Sequence, residues 1–79
     1  MKSRFRMGWM LVLFDLPTTE REQQRSATKF REGLLELGFF MLQESVYARN
    51  CVSIERYPQH LQKVENIAPD EGLVNAFFI

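Results

Sequence analysis

The chain has 79 residues, of which 46% are hydrophobic and 25% charged, and its formal net charge is zero. This composition excludes intrinsic disorder, and no apolar run approaches the roughly 20 residues that a transmembrane helix needs. The single cysteine, Cys51, excludes an internal disulfide, and with His60 as the only histidine it cannot complete a zinc site.

These limits predict one small domain over residues 1–79, without a membrane segment, in a reducing cytoplasm. A domain of this size buries only about 60% of its unfolded surface, so a partner subunit would help to stabilise it. Residues 1–31 hold seven Lys and Arg against three acids, a net charge of +4, and the remainder carries −4. The basic half either meets phosphate groups or is an ordinary solvated surface.

The run Met10–Leu16 predicts a first strand that is buried on both faces, because it is apolar except for Asp15. Pro17 cannot donate a ladder hydrogen bond, so the strand should extend from about Gly8 to Leu16. Asp15 then lies at the carboxyl end of a central strand, where its charge reaches solvent, a metal or a ligand. The alternative is that Asp15 only shapes the following turn by bonding nearby backbone N–H groups.

A helix is predicted over about Thr19–Leu37. Thr19 and Glu22 have the spacing of a capping box, and Gly38 lies where a left-handed C-terminal cap belongs. An apolar stripe at helical spacing should face the sheet, and it consists of Ala27, Phe30, Leu34 and Leu37.

The other side of this helix carries a basic ridge. Arg21, Arg25 and Lys29 recur every four residues and therefore share one face. The ridge either forms charge pairs with neighbouring acids such as Glu22 and Glu32, or contacts the phosphates of a nucleic acid.

Residues 39–49 are rich in aromatic and β-branched side chains and contain no Gly or Pro. They predict either one long bent strand or two strands with a kink near Gln43–Ser45. A strand that extends beyond its own sheet would offer a pairing surface to a second subunit. Phe39 and Phe40 either pack in the core or stack on bases.

Ser53 should begin a second helix, and its apolar face is predicted to consist of Ile54, Tyr57, Leu61, Val64 and Ala68. Pro58 should distort the first turn or restart the helix. A turn at Pro69–Gly72 leads to a last strand, Leu73–Ile79. This order predicts the α+β class, with a ferredoxin-like βαββαβ fold whose antiparallel sheet carries two helices on one face.

The candidate chemistry falls on Asp15. His60 is a lone histidine, Cys51 has no neighbouring base to activate it, and the sequence holds no glycine-rich phosphate loop. One carboxylate is too little for a metal site, but a two-fold dimer would repeat it. Mg²⁺ accepts one or two carboxylates and keeps several waters, and it could stabilise charge on a phosphodiester.

With these motifs in place, the chain resembles the second CRISPR-associated protein family, the small partner of the spacer-acquisition integrase. It is most similar to the branch found beside single-effector RNA-guided nucleases. The resemblance extends from about Met7 to Ile79, and the segments that carry it are Val12–Pro17, Lys29–Arg31, Leu34–Leu35, Leu37–Phe39, Gln43–Tyr47 and Pro69–Gly72.

The resemblance implies a ferredoxin-like homodimer with metal-dependent endonuclease activity on RNA or DNA. Asp15 occupies the position of the catalytic aspartate that binds Mg²⁺ or another divalent cation. The resemblance also implies that the protein bridges dimers of the CRISPR adaptation integrase during spacer acquisition. Arg21, Arg25 and Lys29 would then contact nucleic acid.

The sequence departs from this family at two places. Family chains usually continue beyond the strand equivalent to Leu73–Ile79, so we expect that the C-terminal extension is missing here, and Pro58 interrupts the second helix. Two alternatives stay open: a non-catalytic scaffold that binds nucleic acid, and an unrelated ferredoxin-like interaction domain.

Overall fold

The computed structural model describes residues 8–51 and 53–79. The elements in these residues are β1 (Gly8–Asp15), α1 (Arg21–Glu36), β2 (Phe40–Gln43), β3 (Val46–Cys51), α2 (Tyr57–Ile67) and β4 (Leu73–Phe78). The four strands form one antiparallel sheet in the order β2-β3-β1-β4. This is the predicted ferredoxin-like α+β arrangement. Across the described ranges, no helix has the length and apolar character needed to cross a membrane.

Strand β1 lies at the centre of the sheet, and its side chains alternate between two different environments. Met10, Val12 and Phe14 face the helices and are at most 7% exposed. Leu13 and Asp15 point to the opposite face and are exposed. The prediction that β1 is buried on both faces is therefore wrong, because the helices of this chain cover only one side of the sheet.

The core lies between the sheet and the two helices. Helix α1 contributes Phe30 and Leu34, and α2 contributes Val64, each at most 1% exposed. The Phe14 ring meets the Phe30 ring edge-on at 5.0 Å between centroids, and it lies 5.7 Å from the Tyr47 ring. The predicted stripe on α1 is confirmed as the face that packs on the sheet, with Leu37 partly buried at its end.

Helix α1 begins at Arg21, two residues later than predicted, and its N-cap is Glu20. The capping box uses Gln23, whose Oε1 accepts hydrogen bonds from the backbone N–H groups of Thr19 and Glu20 at 3.1 and 3.0 Å. The predicted pair of Thr19 and Glu22 is wrong because the later start makes Glu20 the N-cap and Gln23 the N3 residue, whose side chain reaches back over the free N–H groups. Gly38 follows the helix with φ +93°, as predicted.

Residues 39–49 form two strands rather than one. A turn at Glu44–Ser45 separates β2 from β3, and the pairing register shifts between Met41 and Gln43. All four residues of β2 are exposed, because this outer strand lies beyond the cover of the helices. Phe39 is buried in the core, whereas Phe40 is 45% exposed.

Helix α2 begins at Tyr57, one residue before Pro58, and the turn that precedes it is distorted, which is one of the two predicted effects of Pro58. A single 3₁₀ turn, Ile54–Arg56, precedes the α-helix, and Pro58 lies in the first α-helical turn, where its missing N–H is not needed. The prediction that Ile54 belongs to the apolar face is wrong, since it is 54% exposed. The tighter 3₁₀ winding changes the side-chain period and turns Ile54 away from the core.

Candidate metal site and nucleic-acid surface

Asp15 is the last residue of β1, and its side chain lies on the sheet face that no helix covers. It is exposed and pairs across the sheet with Leu73, the first residue of β4. Gly72 closes the turn against it with φ +96°, and a Cβ on Gly72 would lie 2.7 Å from the Asp15 carbonyl oxygen. The fold thus fixes the backbone on both sides of Asp15 while the carboxylate stays open to solvent.

The uncovered side of the sheet, which we call the open face, is largely apolar, most of all at the end of β1 away from Asp15. The Trp9 and Phe40 rings meet edge-on at 5.9 Å, and Ala48, which is 2% exposed, lies between them in the sheet. These residues line a shallow apolar depression. The large side chains of the open face that are at least 36% exposed are Trp9, Leu13, Phe40, Leu42, Leu73, Phe77 and Ile79.

Asn75 brings an amide group to the same face. It pairs with Leu13 in the ladder between β1 and β4, so it is a diagonal neighbour of Asp15. Sequence reasoning did not single out this residue. Residues along Leu73–Phe78 alternate between the two faces of the sheet. The position of Asn75 beside the carboxylate follows from this alternation only when the pairing of β4 with β1 is known.

One chain supplies only part of a metal site. Among residues 8–51 and 53–79, no three His, Cys, Asp or Glu side chains lie close enough to share an ion. An exposed single carboxylate with free space around it fits a magnesium ion that keeps most of its waters, and a second Asp15 would supply the other protein ligand. The residues therefore fit the metal only as one half of a symmetric pair.

The predicted basic ridge is present on α1, and Arg21, Arg25 and Lys29 are all exposed. Successive members are four residues apart, or about 6 Å along the helix axis. Arg21 begins α1 at the same end of the molecule as Asp15, but α1 packs on the opposite face of the sheet. The structure therefore brings the ridge and the carboxylate to one end without placing them in direct contact.

Two other residues singled out in the sequence have a structural setting. Cys51 is buried, and its thiol donates to the carbonyl oxygen of Ser53 at 3.2 Å, as expected for a structural residue. His60 is half-buried on α2. Burial lowers the pKa of His60, and the neighbouring cations Arg49, Lys63 and Arg56 lower it further.

Known proteins are similar in sequence to nearly the whole chain. The family model described as CRISPR associated protein Cas2 matches residues 7–79. A "CRISPR-associated endoribonuclease Cas2" of Flavobacterium psychrophilum is 39% identical over 77 residues, which are 98% of this chain and 67% of the relative. The protein of the same name in Campylobacter jejuni is 41% identical over 70 residues, 89% of this chain and 49% of the relative.

A third relative, from Paracidovorax avenae, carries the same name and is 40% identical over 77 residues, 98% of this chain and 71% of the relative. The chain therefore spans between about half and about seven tenths of the length of these relatives. The family match covers β1 through β4, so the likeness extends over every element described above.

Proposed function

The chain belongs to the CRISPR associated protein Cas2 family, and on that premise we propose that it is a metal-dependent endonuclease of RNA or DNA that works as a homodimer. The observation that carries the proposal is the position of Asp15, an exposed carboxylate at the end of the central strand and on a largely apolar open face. The names of its relatives, which describe endoribonucleases, support the nuclease proposal.

The open face supports the homodimer. A single chain leaves Trp9, Leu13 and Phe77 between 36% and 50% exposed, and apolar patches of this kind mark interaction sites in soluble proteins. We propose that a second copy of the chain covers the open face, because a two-fold axis near the carboxyl end of β1 would also bring together two copies of Asp15. The dimer thereby completes the metal site that one chain begins.

In this mechanism the metal ion, when bound, supplies Lewis-acid activation of water and of the scissile phosphate. Asp15 of each subunit would hold that ion, and the backbone of β1 and the Gly72 turn would fix the point from which each carboxylate extends. The Asn75 amide lies on the same face and is placed to hydrogen-bond a water or a phosphate oxygen. Arg21, Arg25 and Lys29 hold the nucleic-acid backbone from the helix side of the molecule.

The direct test is magnesium-dependent cleavage of a single-stranded RNA and of duplex DNA by Asp15→Asn. Loss of a protein ligand should lower the rate by at least about 100-fold, because even outer-shell partners of metal ligands are worth 10–100-fold. Glu65→Gln is the matched control, since it removes an exposed charge on α2. Equal cleavage by wild type and Asp15→Asn after identical purification would contradict the enzyme proposal.

A second candidate function is a non-catalytic scaffold that holds DNA and bridges dimers of the adaptation integrase during spacer acquisition. The exposed ridge of Arg21, Arg25 and Lys29 favours it, because backbone contacts of this type give affinity without sequence specificity. The scaffold predicts duplex binding that weakens in Arg21→Ala and Arg25→Ala, and spacer integration that survives Asp15→Asn. Integration that stops in Asp15→Asn would contradict it.

A further inference from the structure

Arg31 on α1 carries a buried polar group that the proposed mechanism does not use. Its side chain is half-buried, and its Nε atom is shielded from solvent without a hydrogen-bond partner among residues 8–51 and 53–79. Buried donors in native proteins are nearly always paired, so an unpaired one calls for an explanation. An apolar side chain of similar length would fill the same space without this cost, so the cation itself needs a role.

The guanidinium group of Arg31 lies over the ring of Phe14, with its central carbon 6.0 Å from the ring centroid. This separation is at the outer limit of a cation–π contact, and such contacts gain strength where water is excluded. Two other side chains hold the ring, Phe30 edge-on at 5.0 Å and Tyr47 at 5.7 Å between centroids. Phe14 is therefore enclosed from several sides, and Arg31 supplies the positive charge of this enclosure.

Phe14 directly precedes Asp15, and the backbone at this end of β1 has unequal support on its two sides. On the β4 side the ladder continues through Asp15 and Leu73. On the β3 side the paired register ends at Leu13, and one further hydrogen bond joins the Phe14 N–H to the carbonyl oxygen of Ser45 at 3.1 Å. The placement of Phe14 therefore decides how Asp15 is held on the β3 side.

We propose that Arg31 is a positioning residue for Asp15. Its cation holds the Phe14 ring in the core, the ring fixes the backbone of Phe14, and that backbone fixes the point from which the Asp15 carboxylate extends. Arg31 lies on the helix side of the sheet, opposite the carboxylate, so it acts through Phe14 and does not touch the metal ion. The inference rests on the proposed nuclease, because the metal site is what requires a fixed carboxylate.

An arginine suits this position better than a lysine does. The guanidinium group is planar, stacks on aromatic faces and is more weakly hydrated than an ammonium group, so it is more easily buried against a ring. Arg31→Met keeps the length of the side chain and removes the charge, and it should lose the positioning effect. Arg31→Lys restores the charge without the planar group and should recover only part of that effect.

The first measurement needs neither metal nor substrate. We would record ¹⁵N relaxation of the Phe14 and Asp15 amides, for which order parameters of about 0.85 describe rigid backbone and values below about 0.6 describe flexible backbone. Arg31→Met should lower both values toward 0.6, about the limit of flexible backbone. Glu32→Met, which changes the next and exposed side chain of α1, should leave them at the wild-type level. Urea unfolding checks that each variant remains folded.

The second measurement connects Arg31 to the metal site. Mn²⁺ binding, followed by electron paramagnetic resonance without nucleic acid, should weaken about 10-fold in Arg31→Met, because groups that orient a metal ligand are worth 10–100-fold in affinity or activity. Arg31→Lys should recover part of this loss. Phe14→Leu should weaken binding as well, and the double variant should lose less than the product of the two single losses, because both residues act through one contact.

Unchanged order parameters in Arg31→Met would overturn the proposal, and so would single losses that multiply fully in the double variant. A raised KM for cleavage with unchanged kcat and unchanged Mn²⁺ affinity would also overturn it, because Arg31 would then bind substrate directly. A wild-type protein that neither binds Mn²⁺ nor cleaves nucleic acid would instead contradict the proposed function. The relaxation measurement would still decide whether Arg31 holds the end of β1.

Discussion

Gly72 is the residue whose substitution should most directly disturb the backbone around Asp15. It adopts φ +96°, and an added Cβ would lie 2.7 Å from the Asp15 carbonyl oxygen and 2.9 Å from a methyl carbon of Leu16. Gly72→Ala should lower the free energy of unfolding by about 1–3 kcal/mol, the usual range for such backbone strain. Urea titration would measure this loss, with the exposed neighbour Glu71→Ala as a control that should change stability by less than about 0.5 kcal/mol. Equal stability of the two variants would contradict this account of the turn.

His60 should make the free energy of unfolding depend on pH, and the direction of its pKa shift gives the sign of that dependence. Burial and three cations lower its pKa in the folded state below the ordinary value of 6.5, so the unfolded chain binds the proton more readily. The contribution of neutral His60 to stability is then fully present above the pKa of the unfolded state. It is lost as the pH falls from that pKa toward the lower pKa of the folded state. The free energy of unfolding should decrease between about pH 7 and pH 5, and His60→Gln should flatten that slope. A slope that persists unchanged in His60→Gln would assign the effect to other groups.

Single residues were predictable where backbone chemistry leaves few choices. Pro17 and Pro58 mark element boundaries because they lack an N–H, and Gly38 takes the left-handed conformation that other residues avoid. Arg49 and Asn75 were not predictable, because their roles depend on which strands pair. Neither residue has a local signal in its own segment of the sequence.

At the scale of one element, truncating a side chain of α1 should lower the stability of the protein only where that side chain belongs to the buried stripe. Leu34 is 0% exposed and its neighbour Leu35 is 54% exposed, so the two leucines form a matched pair. Leu34→Ala should lower the free energy of unfolding by about 2–5 kcal/mol, because the core cannot fully close over the missing atoms. Leu35→Ala should cost less than about 0.5 kcal/mol. Similar losses in the two variants, measured by urea or thermal unfolding, would show that α1 does not dock as described.

Elements were predicted well from their periodicity and less well at their ends. The 3.6-residue repeat of α1 identified its inner face, yet its start shifted because Gln23 caps the helix in place of Thr19 and Glu22. The turn at Glu44–Ser45 lacks the glycine that usually marks a hairpin, so one strand and two strands were equally compatible with the sequence. Local composition does not decide between one strand and two, because the choice depends on how β2 pairs with β3.

At the scale of the whole molecule, the open face should control assembly. Leu13 lies on this face and Leu35 lies on the solvent side of α1, and both are exposed in a single chain. Leu13→Lys should convert the proposed dimer to a monomer, because it places a charge in the apolar contact, and Leu35→Lys should leave the dimer intact. Light scattering measures the mass, and cleavage should be lost with the dimer. A dimeric Leu13→Lys protein would exclude the open face as the interface.

The order of elements was sufficient to predict the ferredoxin-like fold, because βαββαβ with an antiparallel sheet has few alternatives. The exposure of the second face of the sheet was not predictable from the sequence of one chain. The apolar run in β1 predicted burial on both faces, but the helices cover only the face of Met10, Val12 and Phe14. The cover of the other face belongs to the proposed dimer, and the sequence pattern of one strand does not specify it.

The sheet order also has a consequence for biosynthesis. Strand β1 has β3 on one side and β4 on the other, so the first of the described strands to be synthesised is fully paired only after the last of them has formed. Met10 pairs with Phe78, and almost all of the described chain separates them. Closing such a long loop is slow, and a half-paired β1 with its apolar residues is prone to aggregation in the meantime. Nascent chains stalled before Leu73 should therefore depend on chaperones, and release of β4 should end that dependence.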